Sequence, residues 1–387
     1  DAESFDYIVI GAGSAGAVLA NRLSADEKTR VLLLEAGGKT HPWSRFPISY
    51  ALFLERAGVN WLYESEPDPG TDGRSVPVPR GKMLGGSSAI NGLVFVRGQA
   101  QDYDHWAQLG NRGWSYSDVL PVFRDMENYD GGEDEFRGRT GPLTVTDTPE
   151  RGPLYDSLIA AAGAHGIDPA ADYNGAVQDG ITMSQTTIHK GRRMSTARAY
   201  LNPAKRRPNL QVTTKALTKW IIVKDGRAVG VRYKHDGIER EAHARGEVIL
   251  SAGSIASPQI LERSGIGDGA RLQEHGVDVV HALPGVGENL QDHYVARFCC
   301  RAKGVETFNE RARGWRLGWE ILRYAATRKG LLTVAPGNVS ASVKIMPGVS
   351  TPDIQFAFAP ASYVEGQLGV LDDFPGMTCG VWQHRPA

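Results

Sequence analysis

Two glycine-rich stretches and one carboxylate carry most of the chemistry legible in this chain. Gly11-Ala12-Gly13-Ser14-Ala15-Gly16 follows directly on the apolar run Tyr7-Ile8-Val9-Ile10, and Glu35 closes a second apolar run, Val31-Leu32-Leu33-Leu34. This spacing suits a pyrophosphate. Gly11 permits a tight turn after a strand, Gly13 lets backbone N–H groups approach phosphate oxygens, and Gly16 lets the next helix pack closely on the sheet. A helix over Ser14–Ser24 would point its positive end at the phosphates. Glu35 would accept hydrogen bonds from both ribose hydroxyls and repel a 2′-phosphate, which favours FAD or NAD over NADP. The second stretch runs Arg80-Gly81-Lys82-Met83-Leu84-Gly85-Gly86-Ser87-Ser88-Ala89-Ile90-Asn91-Gly92-Leu93-Val94. Its small residues cluster where backbone must come close to a partner.

The elements that position these residues follow from periodicity. The segment 41–79 is rich in Pro, Gly and aromatics and reads as a connecting excursion. Asp118–Phe123 has the pattern of a short capped helix, Gly138–Thr146 of a turn into a strand, and Leu154–His165 of an amphipathic helix. From Asn209 the period becomes two. Strands over 217–223, 228–234 and 239–244, joined by Asp225-Gly226 and Asp236-Gly237, form an antiparallel meander. It leads into Glu247-Val248-Ile249-Leu250-Ser251-Ala252-Gly253, a strand apolar enough for a parallel sheet. Ser257 then caps, and Pro258 opens, a helix ending near Ser264. A sheet interrupted in this way suits a flavoprotein better than a plain nicotinamide dehydrogenase.

The expected fold class is therefore α/β, with a Rossmann-like nucleotide domain carrying a β-meander and assembled from 1–40, 80–150 and 210–295. A substrate domain is expected from 151–209 and 296–387, built on an antiparallel sheet that includes Asp353–Ala359 and Met377–Gln383, with the active site at the junction. Composition narrows the partners. Among 387 residues, 43 basic and 44 acidic side chains leave a formal charge of -1, which favours neither nucleic acid nor an acidic tail. Cys299, Cys300 and Cys379 show no metal-binding spacing and suggest a reduced protein without a disulfide framework. The first strand begins too early to follow a leader, and no apolar run reaches the roughly 18 residues of a membrane span, so a cytoplasmic location is expected.

In their order along the chain, four motifs resemble the glucose–methanol–choline family of FAD-dependent oxidoreductases. They are Gly11–Gly16 with Glu35-Ala36-Gly37; Arg80–Gly92; Ser251-Ala252-Gly253-Ser254-Ile255-Ala256-Ser257-Pro258-Gln259-Ile260-Leu261; and Leu283-Pro284-Gly285-Val286-Gly287-Glu288-Asn289-Leu290-Gln291-Asp292-His293. The resemblance implies that Gly85, Gly86 and Ser87 lie along the FAD pyrophosphate and that Asn91, Gly92, Leu93 and Val94 pass beside the isoalloxazine. Leu217 would touch the adenine through its backbone, and Ala252-Gly253 would close the nucleotide end. Ser14, Ala15, Ala36, Arg80, Gly81, Met83 and Ser257 complete the implied cofactor set. Trp61 holds a family-like position near the nucleotide, although an aromatic in Val59–Tyr63 equally suits a core. Some relatives attach FAD through a histidine where Ile90 stands here, so a noncovalent flavin is expected.

The reaction the resemblance implies is oxidation of an alcohol, primary by expectation, to an aldehyde by hydride transfer to flavin N5. Oxygen or another acceptor would reoxidise the flavin. In relatives the base is a histidine, paired with a second histidine or an asparagine, in a segment following a His-Pro pair. This sequence closes on His384-Arg385-Pro386-Ala387, so that segment is expected beyond Ala387 and the catalytic residues are unassigned. None of His41, His105, His165, His189, His235, His243, His275, His281, His293 and His384 stands in the expected context. His293 reads as a structural group near the cofactor, His384 as a strand residue of the substrate sheet, and His235 and His243 as solvated or hydrogen-bonded side chains. Two alternatives share the scaffold: a light-driven fatty acid decarboxylase, whose relatives place a cysteine where His384 stands, and an incomplete, inactive FAD-binding module.

Overall fold

The structure, a computed structural model, describes residues 3–365, 367 and 369–386. Two compact units emerge: one comprises Asp1–Ser44, Leu52–Asn91 and Ser195–Leu290, the other Arg45–Ala51, Gly92–Met194 and Gln291–Ala387.

The first unit is organised by β1 (Glu3–Ile10), α1 (Ser14–Leu23), β2 (Val31–Leu34), β3 (Leu210–Thr213), β4 (Ala216–Lys224), β5 (Arg227–His235), β6 (Ile238–Leu250) and α2 (Gly253–Arg263). One six-stranded sheet has the order β3-β2-β1-β6-β5-β4. Its first four strands are parallel, and β5 and β4 extend it antiparallel. Strands buried on both faces send alternate side chains to opposite cores. Ile8, Ile10, Leu32 and Leu34 join a cluster that α2 enters through Ile260, whereas Val9, Val31 and Leu33 meet Ala17 and Ala20 of α1. The alanines let α1 lie close to the sheet, which brings its N-terminus to the end of β1.

Two local readings change. Residues 239–244 and 247–250 are one strand, because β6 pairs antiparallel with β5 on one edge and parallel with β1 on the other. The register steps from Phe5↔Ala244 to Tyr7↔Glu247. Arg245 and Gly246 thus oppose the single residue Asp6, a β-bulge that needs glycine because a Cβ on Gly246 would lie 2.7 Å from the Asp6 carbonyl oxygen. Second, Ser257 is not a cap: α2 begins at Gly253, and Pro258 lies inside the helix. Ser251 accounts for the early start, since its N–H and Oγ both donate to the Ile10 carbonyl at 2.9 Å, which ends the strand there. The excursion 41–79 makes only short helical turns, among them Tyr50–Phe53, and a short antiparallel pairing of Tyr63–Glu64 with Pro77–Val78, yet it contributes Phe53 to a cluster with Met83, Ala89 and Ile90.

The second unit holds a five-stranded antiparallel sheet in the order Ala296–Arg301, Gly376–Gln383, Ile354–Ala359, Val339–Val343, Gly180–Met183. The helix Pro153–Ala164 packs on it through Tyr155 and Ile159. Helices Ala100–Gln108, Tyr116–Met126 and Gly314–Thr327 complete the main elements. Its interior contains an ionic lattice in which Glu127 accepts from Arg137 at 2.8 Å and Arg97 at 3.0 Å, while Arg137 also reaches Asp172 at 2.6 Å. The Arg137 and Glu127 side chains are fully buried, so removing one charge strands the others. Glu127→Ala should therefore cost about 3–5 kcal/mol of stability. Urea unfolding checks this, and a loss below about 1 kcal/mol would contradict it.

Candidate nucleotide site

The site is built in the first unit, where β1 turns into α1. Gly11 has φ +93° and a Cβ there would meet the Ser251 carbonyl oxygen at 2.6 Å, while a Cβ on Gly16 would lie 1.8 Å from the Gly11 carbonyl oxygen. Only glycine allows both close approaches. Gly13 differs. Its φ is -78°, and a Cβ there would find nothing nearer than Gly86 Cα at 3.9 Å. The space beside Gly13 is open, and the exposed Ser14 and Ala15 border it at the head of α1. The first intrahelical bond of that turn is Ala17 N–H to Gly13 O at 3.1 Å, so the N–H groups of Ser14, Ala15 and Gly16 precede it. Such groups, at the positive end of a helix, suit a pyrophosphate.

The second glycine-rich stretch lies against the first. Gly85 N–H donates to Ala12 O at 2.8 Å, and Gly86, with φ +49°, comes so near Gly13 that a Cβ on it would be 2.7 Å from Gly13 Cα. Ser87 Oγ accepts from Gly81 N–H at 3.1 Å, and Asn91 N–H donates to Ser87 O at 2.8 Å. Met83 is fully buried, its sulfur accepting from His41 N–H at 3.3 Å. Arg80 N–H donates to Asn60 Oδ1, and its carbonyl accepts from Trp61 N–H at 2.9 Å. Trp61 is half-buried, stacked on Tyr63 at 5.6 Å, with Lys82 Nζ 4.3 Å from the Trp61 ring centre.

Glu35 is buried where β2 ends, and its carboxylate is held by two backbone donors: Oε2 accepts from Ala12 N–H at 3.0 Å and Oε1 from Gly37 N–H at 2.8 Å. Burial pushes its pKa up to about 7, against the lowering effect of those N–H groups and of the Lys82 ammonium. Each oxygen keeps a further lone pair for a ligand hydroxyl. Ala36 follows directly. Ala216 N–H donates to the Glu35 carbonyl at 2.8 Å, which sets the exposed Leu217 at the start of β4. Ala252 caps α2, and Gly253, with φ +88°, has open space around the position of a Cβ. Ser257 sits half-buried one turn further along.

Two motif residues to which no role is assigned, Ser251 and Ser88, and one residue outside the motifs, Thr196, also hold the turn. Ser251 Oγ bonds the Gly11 carbonyl at 3.1 Å, Thr196 Oγ1 donates to the Gly13 carbonyl at 3.3 Å, and Ser88 Oγ lies 3.0 Å from Thr196 Oγ1. Thr196 enters a π-helical turn, Ala197–Leu201, the only nearby signal being the Ser-Thr pair before it. Such turns occur often at functional sites.

Gly92, Leu93 and Val94 belong to the second unit. Leu93 is buried with φ +69°, its carbonyl accepting from Thr187 N–H at 2.9 Å; Val94 bridges Thr186; and a Cβ on Gly92 would strike Pro336 at 2.6 Å. In the same unit, His384 follows the strand ending at Gln383 instead of lying on it. Its N–H donates to Asp353 O at 2.8 Å, its Nε2 is buried without a partner among the described residues, and burial, then Arg385 and His293, lower its pKa. His293 stacks on Trp382 at 6.2 Å. In the first unit, His235 Nε2 is 3.4 Å from Asp236.

The chain belongs to the GMC oxidoreductase family, whose profile matches residues 5–295. The cofactor of that family is FAD, and the open cradle at Gly13, the helix-terminal N–H groups and the Glu35 carboxylate fit it. More particularly, the chain is 42% identical over 359 residues to an oxygen-dependent choline dehydrogenase of Sinorhizobium fredii, covering 92% of this chain and 65% of that protein. An oxygen-dependent choline dehydrogenase of Brucella canis is also 42% identical, over 361 residues, with the same shares covered. Thus the chain spans 65% of the length of these curated relatives. Among solved structures, pyridoxine 4-oxidase from Mesorbium loti superposes with a TM-score of 0.87 at 27% identity, covering 99% of this chain and 72% of that one. Formate oxidase shares the fold, with a TM-score of 0.90 at 24% identity, covering 100% of this chain and 74% of that one.

Proposed function

We propose that this chain is the FAD-holding part of an alcohol oxidoreductase that converts a primary alcohol, choline or a close analogue, to its aldehyde. The observation that carries the reading is the meeting of two glycine turns, Gly11–Gly16 and Gly85–Ser87, beside the paired backbone donors of Glu35. When bound, FAD supplies the two-electron acceptor for a hydride from the alcohol carbon. Gly13 and the first-turn N–H groups of Ser14, Ala15 and Gly16 hold its pyrophosphate, with Gly85, Gly86 and Ser87 alongside. Glu35 accepts the ribose hydroxyls and turns away a 2′-phosphate. Ala36, Leu217, Ala252, Gly253, Ser257 and Trp61 border the nucleotide, and Arg80, Gly81 and Met83 shape the turn behind it. Asn91, at the end of the same unit, borders the ring side.

The flavin is held without a covalent bond. Ile90, in the position of a linking histidine, is buried among Phe53, Met83 and Ala89 and offers no nucleophile. The choline preference rests on the relatives at 42% identity. The protein isolated from its own source should be yellow and should bleach anaerobically on addition of choline. A flavin-loaded protein that choline and other short primary alcohols fail to reduce would overturn the reading.

A further inference from the structure

The peptide group between Gly13 and Ser14 has two ends with different duties. Its N–H, on Ser14, is one of the groups that precede the first intrahelical bond of α1, and its carbonyl, on Gly13, accepts from Ala17 N–H at 3.1 Å and from Thr196 Oγ1 at 3.3 Å. A donor on a peptide oxygen polarises the whole group and makes its N–H a stronger donor in turn. Thr196 therefore acts on the Ser14 N–H from the far side of one peptide bond. The same residue also ties the two glycine turns together. Ser88 Oγ donates to the Gly85 carbonyl at 2.6 Å and accepts from Thr196 N–H at 3.0 Å, so Thr196 is moored to the second turn through its backbone and to the first through its side chain.

The local backbone fixes that placement. Ser195 O accepts from both Arg198 N–H and Ala199 N–H at 2.9 Å, and the π-helical turn Ala197–Leu201 carries the chain on beside α1. Asn21, buried on α1, donates from Nδ2 to Tyr200 O at 2.7 Å, and the Arg22 guanidinium lies 5.7 Å from the Tyr200 ring centre. On its other side the segment abuts the second glycine turn, since a Cβ on Gly85 would lie 3.2 Å from Ala197 Cβ and 3.5 Å from Ser195 Oγ. All of these contacts lie inside the first unit. They use bonds already formed there, and none of them needs an open surface. The Thr196 hydroxyl is turned to the Gly13 carbonyl, so its action on a phosphate runs through the Ser14 N–H.

We propose that Thr196 is a positioning residue for the pyrophosphate, its hydroxyl polarising the Gly13–Ser14 peptide so that the Ser14 N–H binds phosphate more tightly. The inference rests on the FAD reading above. Thr196→Val, which keeps the shape and deletes the hydroxyl, should weaken FAD binding about threefold to tenfold, and Thr196→Ser, which keeps the hydroxyl, should stay within about twofold of the parent. Fragments of the cofactor separate this role from plain packing. ADP should compete with FAD about threefold to tenfold less well on Thr196→Val than on the parent, whereas adenosine, which has the ribose but no phosphate, should compete equally on both. The unfolding temperature of the flavin-free variant should shift by no more than about 2 °C. Should Thr196→Val fail to fold, Ser88→Ala, which releases the Thr196 N–H, carries the same comparison of ADP with adenosine. An unmodified chain that takes up no FAD would end the FAD reading and this proposal together. In a chain that does bind FAD, a Thr196→Val variant that binds it as tightly, a Thr196→Ser variant as weak as Thr196→Val, or an equal loss of ADP and adenosine would overturn the proposal alone.

Discussion

Gly13→Val should abolish FAD binding while leaving the fold intact. The two effects separate here because Gly13 is the one glycine of its turn whose side-chain position is free in the protein and whose φ, -78°, suits any residue. Losing glycine at the head of α1 costs about 1 kcal/mol or less of stability. A valine in the cradle, however, occupies the volume through which backbone N–H groups reach a pyrophosphate. The expected loss of FAD affinity exceeds about 100-fold, equivalent to about 2.7 kcal/mol. Gly11→Val supplies the contrast. At φ +93° and with the Ser251 carbonyl 2.6 Å from the new Cβ, it should damage fold and binding together. Fluorescence titration with FAD and thermal unfolding of both variants check the separation. A Gly13→Val chain that binds FAD as tightly as the parent would contradict it.

Glu35→Gln should weaken FAD binding on the order of 10–100-fold and remove its pH dependence. Both carboxylate oxygens are already held by N–H donors, so the amide's NH2 group must face one of them and leaves it without an acceptor. The pH effect has a definite sign. Burial places the pKa of Glu35 at about 7 in the flavin-free protein, and a ribose whose hydroxyls donate requires the ionised form. Below about pH 7 a proton must leave before FAD binds, so affinity falls by up to about tenfold per pH unit as pH drops. Above about pH 7 it is flat, and Glu35→Gln should be flat throughout. Stability of the flavin-free protein runs the other way. A raised carboxyl pKa means the folded chain binds more protons, so Glu35 lowers stability as pH climbs from about 4.5 towards about 7. Affinity measured from pH 5.5 to 8.5 decides the matter, since a slope persisting in Glu35→Gln would assign it to another group.

How much of this was legible depended on how local each signal was. The turn of Gly11–Gly16 and the arrival of Glu35 are read from a strand, a helix and a strand adjacent in sequence, and the structure forms all three. The meander was equally plain, because Asp225-Gly226 and Asp236-Gly237 sit between alternating runs and each carries positive φ at both positions. Contacts made by sheet pairing left no local trace. Ser251 meets Gly11 across 240 residues and Thr196 meets Gly13 across 183, through side chains that look unremarkable in sequence. Ser257-Pro258 misled for the opposite reason: a serine before proline is a strong start signal, but Ser251, anchored to β1, had already ended the strand. The helix Gly314–Thr327 escaped because it buries a glutamate and exposes two tryptophans, inverting the usual pattern.

A single titration bears on the centre of the account: FAD and, separately, NADP added to the flavin-free chain at pH 8, with bound ligand followed by calorimetry. One FAD per chain should bind, NADP should not compete, and Gly13→Val should bind neither. A chain that takes up no FAD, or one in which NADP displaces it at equal concentration, would contradict the assignment of Gly13 and Glu35 to the nucleotide.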